Sequence, residues 1–163
     1  MTERDQVIEF LKSQNILTLA TVTEDGSLYA TPLFYVLHGV FCLYWVSSAS
    51  SLHSQSLSSV GDAAAAIYAA TDEWKEIRGV QMKGRVHEVV EAVERKKVLH
   101  HYTGRFHLGS MLRIALSQST LYRLTPTWVR LLDNSKCFGY KREFRIAEDG
   151  TFTAATHLRT PAE

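Results

Sequence analysis

Two cysteines, three prolines and no long apolar run are the scarcities that first constrain this 163-residue sequence. Cys42 and Cys137 lie far apart and outside any CxxC pattern, so no disulfide framework can be read, and a reducing cytoplasm is the expected compartment. No apolar stretch reaches the roughly 18 residues of a membrane span. The opening MTERDQVIEF also puts acids where a secretory signal needs a basic start. A soluble, non-secreted protein with no membrane partner is expected. Charge of one sign is missing too: 18 basic against 17 acidic residues give +1, which leaves no whole-molecule field to hold a nucleic acid. The nucleotide and nucleophile signatures GxGxxG, Walker A and GxSxG are absent, and Gly79-Val80-Gln81-Met82-Lys83-Gly84 lacks the Lys-Ser/Thr ending of a phosphate loop. His100, His101 and His107 have no cysteine or carboxylate at a matching offset, so a surface helix face is preferred to a metal site.

What is present is an ordinary globular balance, 45% apolar and 21% charged, at a length suited to one compact core. Residues 3–14 put Val7, Ile8 and Leu11 on one helical face, with Thr2 as N-cap and Asp5 in the first turn. ILTLATV, LYATPLFYVL and VFCLYWV follow, joined by the turn signals EDGS and HG, and read as an antiparallel meander. SSASSLHSQSLSS is too serine-rich for a strand and reads as a short helix capped by Ser48 or Ser50. AAAAIYAA sits between turn signals as a buried strand of small residues, and IRGVQMKGRVHEVV is a longer strand in which Gly79 and Gly84 mark a bulge or a close approach. Residues 91–102 and 107–117 read as helices, TLYRLTP, TWVRLLD and KREFRI as strands, and the chain after Thr156 as a frayed tail. One domain over 1–155 is expected, with 156–163 as tail. Its class is mainly β with helices, an antiparallel barrel of six to seven strands, closed or nearly so.

Two anomalies carry chemistry. Pro32 lies inside a strand run, and a residue without an amide hydrogen belongs on an edge strand, or where a ligand replaces the neighbouring backbone. Ser47, Ser48, Ser50, Ser51 and His53 cluster at a helix start, where amide donors and the dipole favour an anion such as a phosphomonoester; a capped, serine-rich surface helix is the plain alternative.

The order of these elements, with ILTLATVTEDGSLYATPLFY, the serine-rich helix start and IRGVQMKGRV, resembles the FMN-binding split barrel (Greek-key) of the pyridoxamine-phosphate-oxidase superfamily. IRGVQMKG, GRFHLGSML and LLDNSKCFGYK are most similar to its YhbP-like branch. The resemblance implies a homodimer with FMN at the subunit interface, the isoalloxazine along Thr31, Pro32 and Leu33, and the phosphate near Ser47, Ser51 and His53. Gln81 would meet a carbonyl or ring nitrogen of the flavin. Leu52 stands where the superfamily often has arginine, so the phosphate charge falls to His53, backbone amides, Lys83 or Arg85. The substrate signature of the true vitamin oxidases is not visible, so that substrate is not implied and no catalytic residue is assigned. Three readings follow: an FMN-dependent oxidoreductase of unknown small-molecule substrate, a non-catalytic flavin-binding dimer, or a barrel that binds haem instead.

Overall fold

The computed structural model describes residues 1–107, 115–116 and 118–155. The helix expected over 107–117, most of the GRFHLGSML segment and the tail therefore lie wholly or largely outside the described residues. The opening helix α1 (Glu3–Ser13) begins as its sequence dictates. The Asp5 amide donates to Thr2 Oγ1 at 3.1 Å and the Thr2 amide to the Asp5 carboxylate at 2.9 Å, a reciprocal capping box that satisfies two otherwise orphaned donors. Its apolar stripe, Val7, Phe10 and Leu11, is buried.

Nine strands follow among the described residues: β1 (Ile16–Val22), β2 (Leu28–Phe34), β3 (Val36–His38), β4 (Cys42–Ser47), β5 (Asp62–Tyr68), β6 (Arg78–Glu88), β7 (Thr120–Asp133), β8 (Lys141–Ile146) and β9 (Phe152–Ala154). All pairings are antiparallel, in the order β2-β1-β5-β6-β7-β4-β3, with β8 on β7 and β9 on β8. The sheet branches at β7. Leu121–Leu124 of that strand pair with β4 on the edge where Trp128–Leu132 pair with β8, and β2 and β3 remain unjoined edges. The result is a split barrel that does not close.

Three expectations change. The run LYATPLFYVL divides at Tyr35, so β2 pairs with β1 while β3 pairs with β4 and the simple meander is broken; with β9 added after the EDGT turn, the strand count is nine. Tyr35 turns inward: its amide donates to the Asn15 carbonyl at 3.1 Å and its hydroxyl to the Leu11 carbonyl at 2.6 Å. Conversely, TLYRLTP and TWVRLLD are one strand, β7, because the register shifts between Lys83 and Gly84 of β6 and absorbs Pro126 and Thr127. The serine-rich helix α2 (Leu52–Val60) starts later than either suggested cap, with Ser51 as N-cap, one residue past Ser50 and three past Ser48, and stops at Gly61 in the left-handed region at φ 72°.

The interior is filled from alternate positions of the strands, among them Leu17, Leu19, Leu43, Trp45, Val80, Met82, Leu124, Val129 and Leu131. A second cluster, with Val36, Tyr44, Val98, Tyr102 and Leu121, packs helix α3 (Ala92–Phe106) against β3, β4 and β7. AAAAIYAA is a strand as expected, β5, with Ala63, Ala65 and Ile67 inward and Ala64, Ala66 and Tyr68 outward. None of the described helices is long and apolar enough to cross a membrane.

Candidate functional site

The outward positions of the sheet form a face built mostly of small side chains. Register places Pro32, Thr18, Ala66, Gln81, Arg130 and Glu143 in one lateral row across β2, β1, β5, β6, β7 and β8. Ala30, Ala20, Ala64, Lys83, Trp128 and Arg145 form the next. Partners in register share a face, so these rows are neighbours on one surface. An open groove of about 740 Å³ runs along it, floored by Ala20, Ala30 and Ala64 and edged by Val22, Leu28, Lys83 and Arg85. Lys83 Nζ stands 5.1 Å from the Trp128 ring centroid and the Arg130 guanidinium 5.0 Å from it, so two cations lie against the indole.

The sequence-predicted residues fall into three places. Pro32, Gln81 and Lys83 are exposed on this outer face, and β2 is an edge strand, so the edge reading of Pro32 holds while its position also leaves a ligand room. Thr31 and Leu33 do not join them: they pair with Leu19 and Leu17 and turn half-buried toward the interior. Ser47, Ser51 and His53 come together at the start of α2, since β4 ends at Ser47 and a tight turn carries the chain back to Ser51.

There His53 is buried, and its Nε2 lies 2.7 Å from Ser47 Oγ and 3.1 Å from Ser51 Oγ. Ser51 Oγ donates to the Ser48 carbonyl at 2.8 Å instead of capping the helix, and is also 2.8 Å from Ser54 Oγ. Burial pushes the His53 pKa below its ordinary 6.5, so the cluster is a set of neutral donors and acceptors. Because the N-cap hydroxyl is turned away, the first-turn amides of α2 receive no side-chain cap. Further along, Ser56 and Ser58 donate to the carbonyls of Leu52 and Ser54, which accounts for hydroxyls that look misplaced in a helix.

Leu52 is 44% exposed and lines a second concavity of about 580 Å³ together with Gln55, Ser56, Ser59, Tyr29 and the hairpin residues Thr23, Glu24 and Asp25. Tyr29 also lines the first groove, so this one side chain borders both hollows. Two carboxylates thus stand near the start of α2, and the cations Lys83 and Arg85 stand in the adjoining groove.

Arg130, Glu143, Trp128 and Tyr29 were not singled out by the sequence. No local pattern marks them; only the registers of β6, β7 and β8 bring Arg130 and Glu143 beside Gln81. The LLDNSKCFGYK stretch has a structural account: the Gly139 amide donates to Asn134 Oδ1 at 3.0 Å, Gly139 has φ 71°, and the Asn134 amide donates to the Ile77 carbonyl at 3.0 Å. That self-closed turn holds Phe138, 81% exposed, against Trp74 with ring centroids 5.6 Å apart.

Comparison with known proteins bears on this geometry. The family model described as pyridoxamine 5′-phosphate oxidase matches residues 4–133. No curated protein matches the chain in sequence. Among solved structures, a pyridoxamine 5′-phosphate oxidase-related, FMN-binding protein from Nostoc punctiforme is 12% identical, with TM-score 0.71 over 96% of this chain and 98% of that one. A conserved hypothetical protein from Mycobacterium tuberculosis is 20% identical, with TM-score 0.73 over 83% and 87%. HutZ, the haem storage protein of Vibrio cholerae, is 18% identical, with TM-score 0.65 over 77% and 91%. At these identities the likeness speaks for the fold.

Proposed function

Because the chain belongs to the pyridoxamine 5′-phosphate oxidase family, we propose that it is a homodimeric FMN-binding protein acting as an oxidoreductase on a small molecule. The observation that carries this reading is the outer face itself: a flat strip of Ala20, Ala30, Pro32, Ala64 and Ala66 beside the polar Gln81 and Arg130. A planar heteroaromatic ring needs such a surface, with no large side chain in the way and a few directed polar groups at its rim. Bound there, FMN would supply the electron transfer, and the chain's part is to seat, orient and screen it.

The residues present fit the group. Pro32, Ala20, Ala30, Ala64 and Ala66 would underlie the ring, and Gln81 would meet its polar edge. Ser47, Ser51, His53 and the uncapped amides of α2 would hold the phosphate, and Lys83 and Arg85 are the cations that line the groove. Thr31 and Leu33 support the strand from its inner side. The exposed apolar residues Ile16, Leu28, Phe34 and Tyr68, all on the same outer face, support a second copy as the cover.

A fluorescence titration of the apo protein with FMN and with riboflavin tests the reading. Charge-assisted bonds to the phosphate are each worth about 1.5–3 kcal/mol, so FMN should bind at least about tenfold more tightly than riboflavin. Protonation of His53, which burial holds below pH 6.5, would add charge to the cradle, so that preference should widen only as the pH is lowered past about 6.5. His53→Ala should weaken FMN and leave riboflavin almost untouched. Equal affinity for the two flavins at every pH would reduce the serine cluster to a helix start without a ligand. The haem alternative has less support: among the groove-lining residues there is no histidine, cysteine or methionine, and Tyr29 is the one aromatic oxygen. A Soret band in the purified protein, in place of flavin absorbance, would reverse that preference.

A further inference from the structure

Arginine only donates hydrogen bonds, and that fact settles the orientation of the Gln81 side chain. Arg130 Nη1 donates to Gln81 Oε1 at 3.1 Å, so the amide oxygen is spent on β7 and the amide NH2 is turned away from it. Arg130 is itself held. Its Nε and Nη2 donate to Glu143 Oε1 at 2.9 and 2.7 Å, and its guanidinium lies over Trp128. The Glu143 side chain is 16% exposed and that of Arg130 31%, so this pair is screened from solvent more than an open surface ion pair. Gln81 is exposed on the outer face, in the same lateral row as Ala66, Thr18 and Pro32.

We propose that Arg130, anchored by Glu143, is a positioning residue that locks the Gln81 carboxamide with its NH2 toward the ligand, making Gln81 an obligate hydrogen-bond donor that selects an acceptor edge. An unrestrained glutamine offers either end to a ligand and so discriminates little. A locked one presents two N–H groups, and a ligand group placed against it must be a carbonyl oxygen or an unprotonated ring nitrogen. A ligand N–H in that position would leave two donors facing each other with nothing to accept. This rests on the flavin reading for the identity of the ligand, but not for the state of the side chain.

The test separates the two. In the ligand-free protein, the Gln81 side-chain NH2 pair is assigned in 15N spectra by its loss in Gln81→Leu. In Arg130→Met its shift should move toward that of a free carboxamide and its order parameter should fall, while Arg130→Lys, which keeps one donor, should retain part of the restraint. A Gln81 amide as mobile in the parent as in Arg130→Met overturns the lock, whatever the ligand. FMN titration then tests the selection. Gln81→Glu keeps the bond to Arg130 but has no N–H to offer, and should weaken FMN about tenfold, as should Gln81→Leu and Arg130→Met. The double variant Gln81→Leu/Arg130→Met should bind about as well as Gln81→Leu alone, because Arg130 acts through Gln81. FMN binding by Gln81→Glu at parental strength, or losses that multiply in the double variant, overturns the selection even where the parent binds FMN. Failure of the parent to bind FMN at micromolar concentration instead overturns the flavin reading and leaves the lock to the spectra.

Discussion

Among the described glycines, Gly84 is the one at which an added methyl group would run into backbone. A Cβ built there falls onto the carbonyl oxygen of Thr125 and against Pro126 Cα, both backbone, at the point where the register of β6 and β7 shifts. Backbone cannot rotate aside as a side chain does, so Gly84→Ala should cost about 2 kcal/mol or more in urea unfolding, against less than about 0.5 kcal/mol for an unstrained surface substitution. His53 makes a pH-dependent contribution at the same scale. Its folded pKa lies below the ordinary 6.5, because burial disfavours the charged ring. The unfolded chain therefore takes up the proton first, and stability present above about pH 6.5 is lost as the pH falls below it. His53→Gln should flatten that part of the stability curve. A remnant should persist from His101, whose pKa is lowered by partial burial and then by the neighbouring cations and histidines.

At the scale of elements, a polar clasp helps to fasten α3 to the sheet. Glu94 Oε1 accepts from Tyr44 Oη at 2.7 Å and from Arg123 Nη1 at 3.0 Å, while burial and then Glu94 raise the Tyr44 pKa. At the far end, Arg105 donates to the Lys12 and Gln14 carbonyls at 2.6 and 2.9 Å, so α3 also closes the end of α1. Glu94→Ala leaves a buried phenol and a half-buried guanidinium without their acceptor, and should cost about 1–2 kcal/mol in chemical denaturation; Glu94→Gln, which keeps an acceptor, should cost less. What was legible in the sequence follows the same physics. The capping box, the strand character of AAAAIYAA and the approach of Ser47 to His53 depend on residues close in the chain, and pattern sufficed. The break at Tyr35 depends on Asn15 and Leu11, and the continuity of β7 through Pro126 on a bulge opposite β6. The first leaves no local mark; the second leaves Gly84, legible as a bulge or close approach, but nothing local says which strand lies against it. The Gln81–Arg130–Glu143 row was illegible for the same reason, since it exists only once three strands are in register.

At the scale of the whole molecule, the outer face is asked to carry two ligands, a flavin and a second copy. Leu28 is 79% exposed, Tyr68 63%, Phe34 52% and Ile16 51%, and all four point to the side on which the alanine strip lies. Single exposed apolar residues are ordinary, but an apolar set around a bare, flat groove is the profile of a surface that is covered in use. If a twin chain supplies the cover, flavin binding and association are linked, and each must strengthen the other by the same factor. Light scattering should then give twice the 18.4 kDa chain mass at micromolar concentration. Diluting the flavin-loaded protein toward the monomer should release FMN, seen as recovery of free-flavin fluorescence. An Ile16→Asp/Tyr68→Asp variant introduces charge at the rim through two residues that line neither hollow, and leaves Gln81, Lys83 and the serine cluster untouched. It should shift the mass toward a single chain and weaken FMN together. A monomer that keeps FMN at parental affinity would show that one chain suffices for the site, and the apolar rim would then need another occupant.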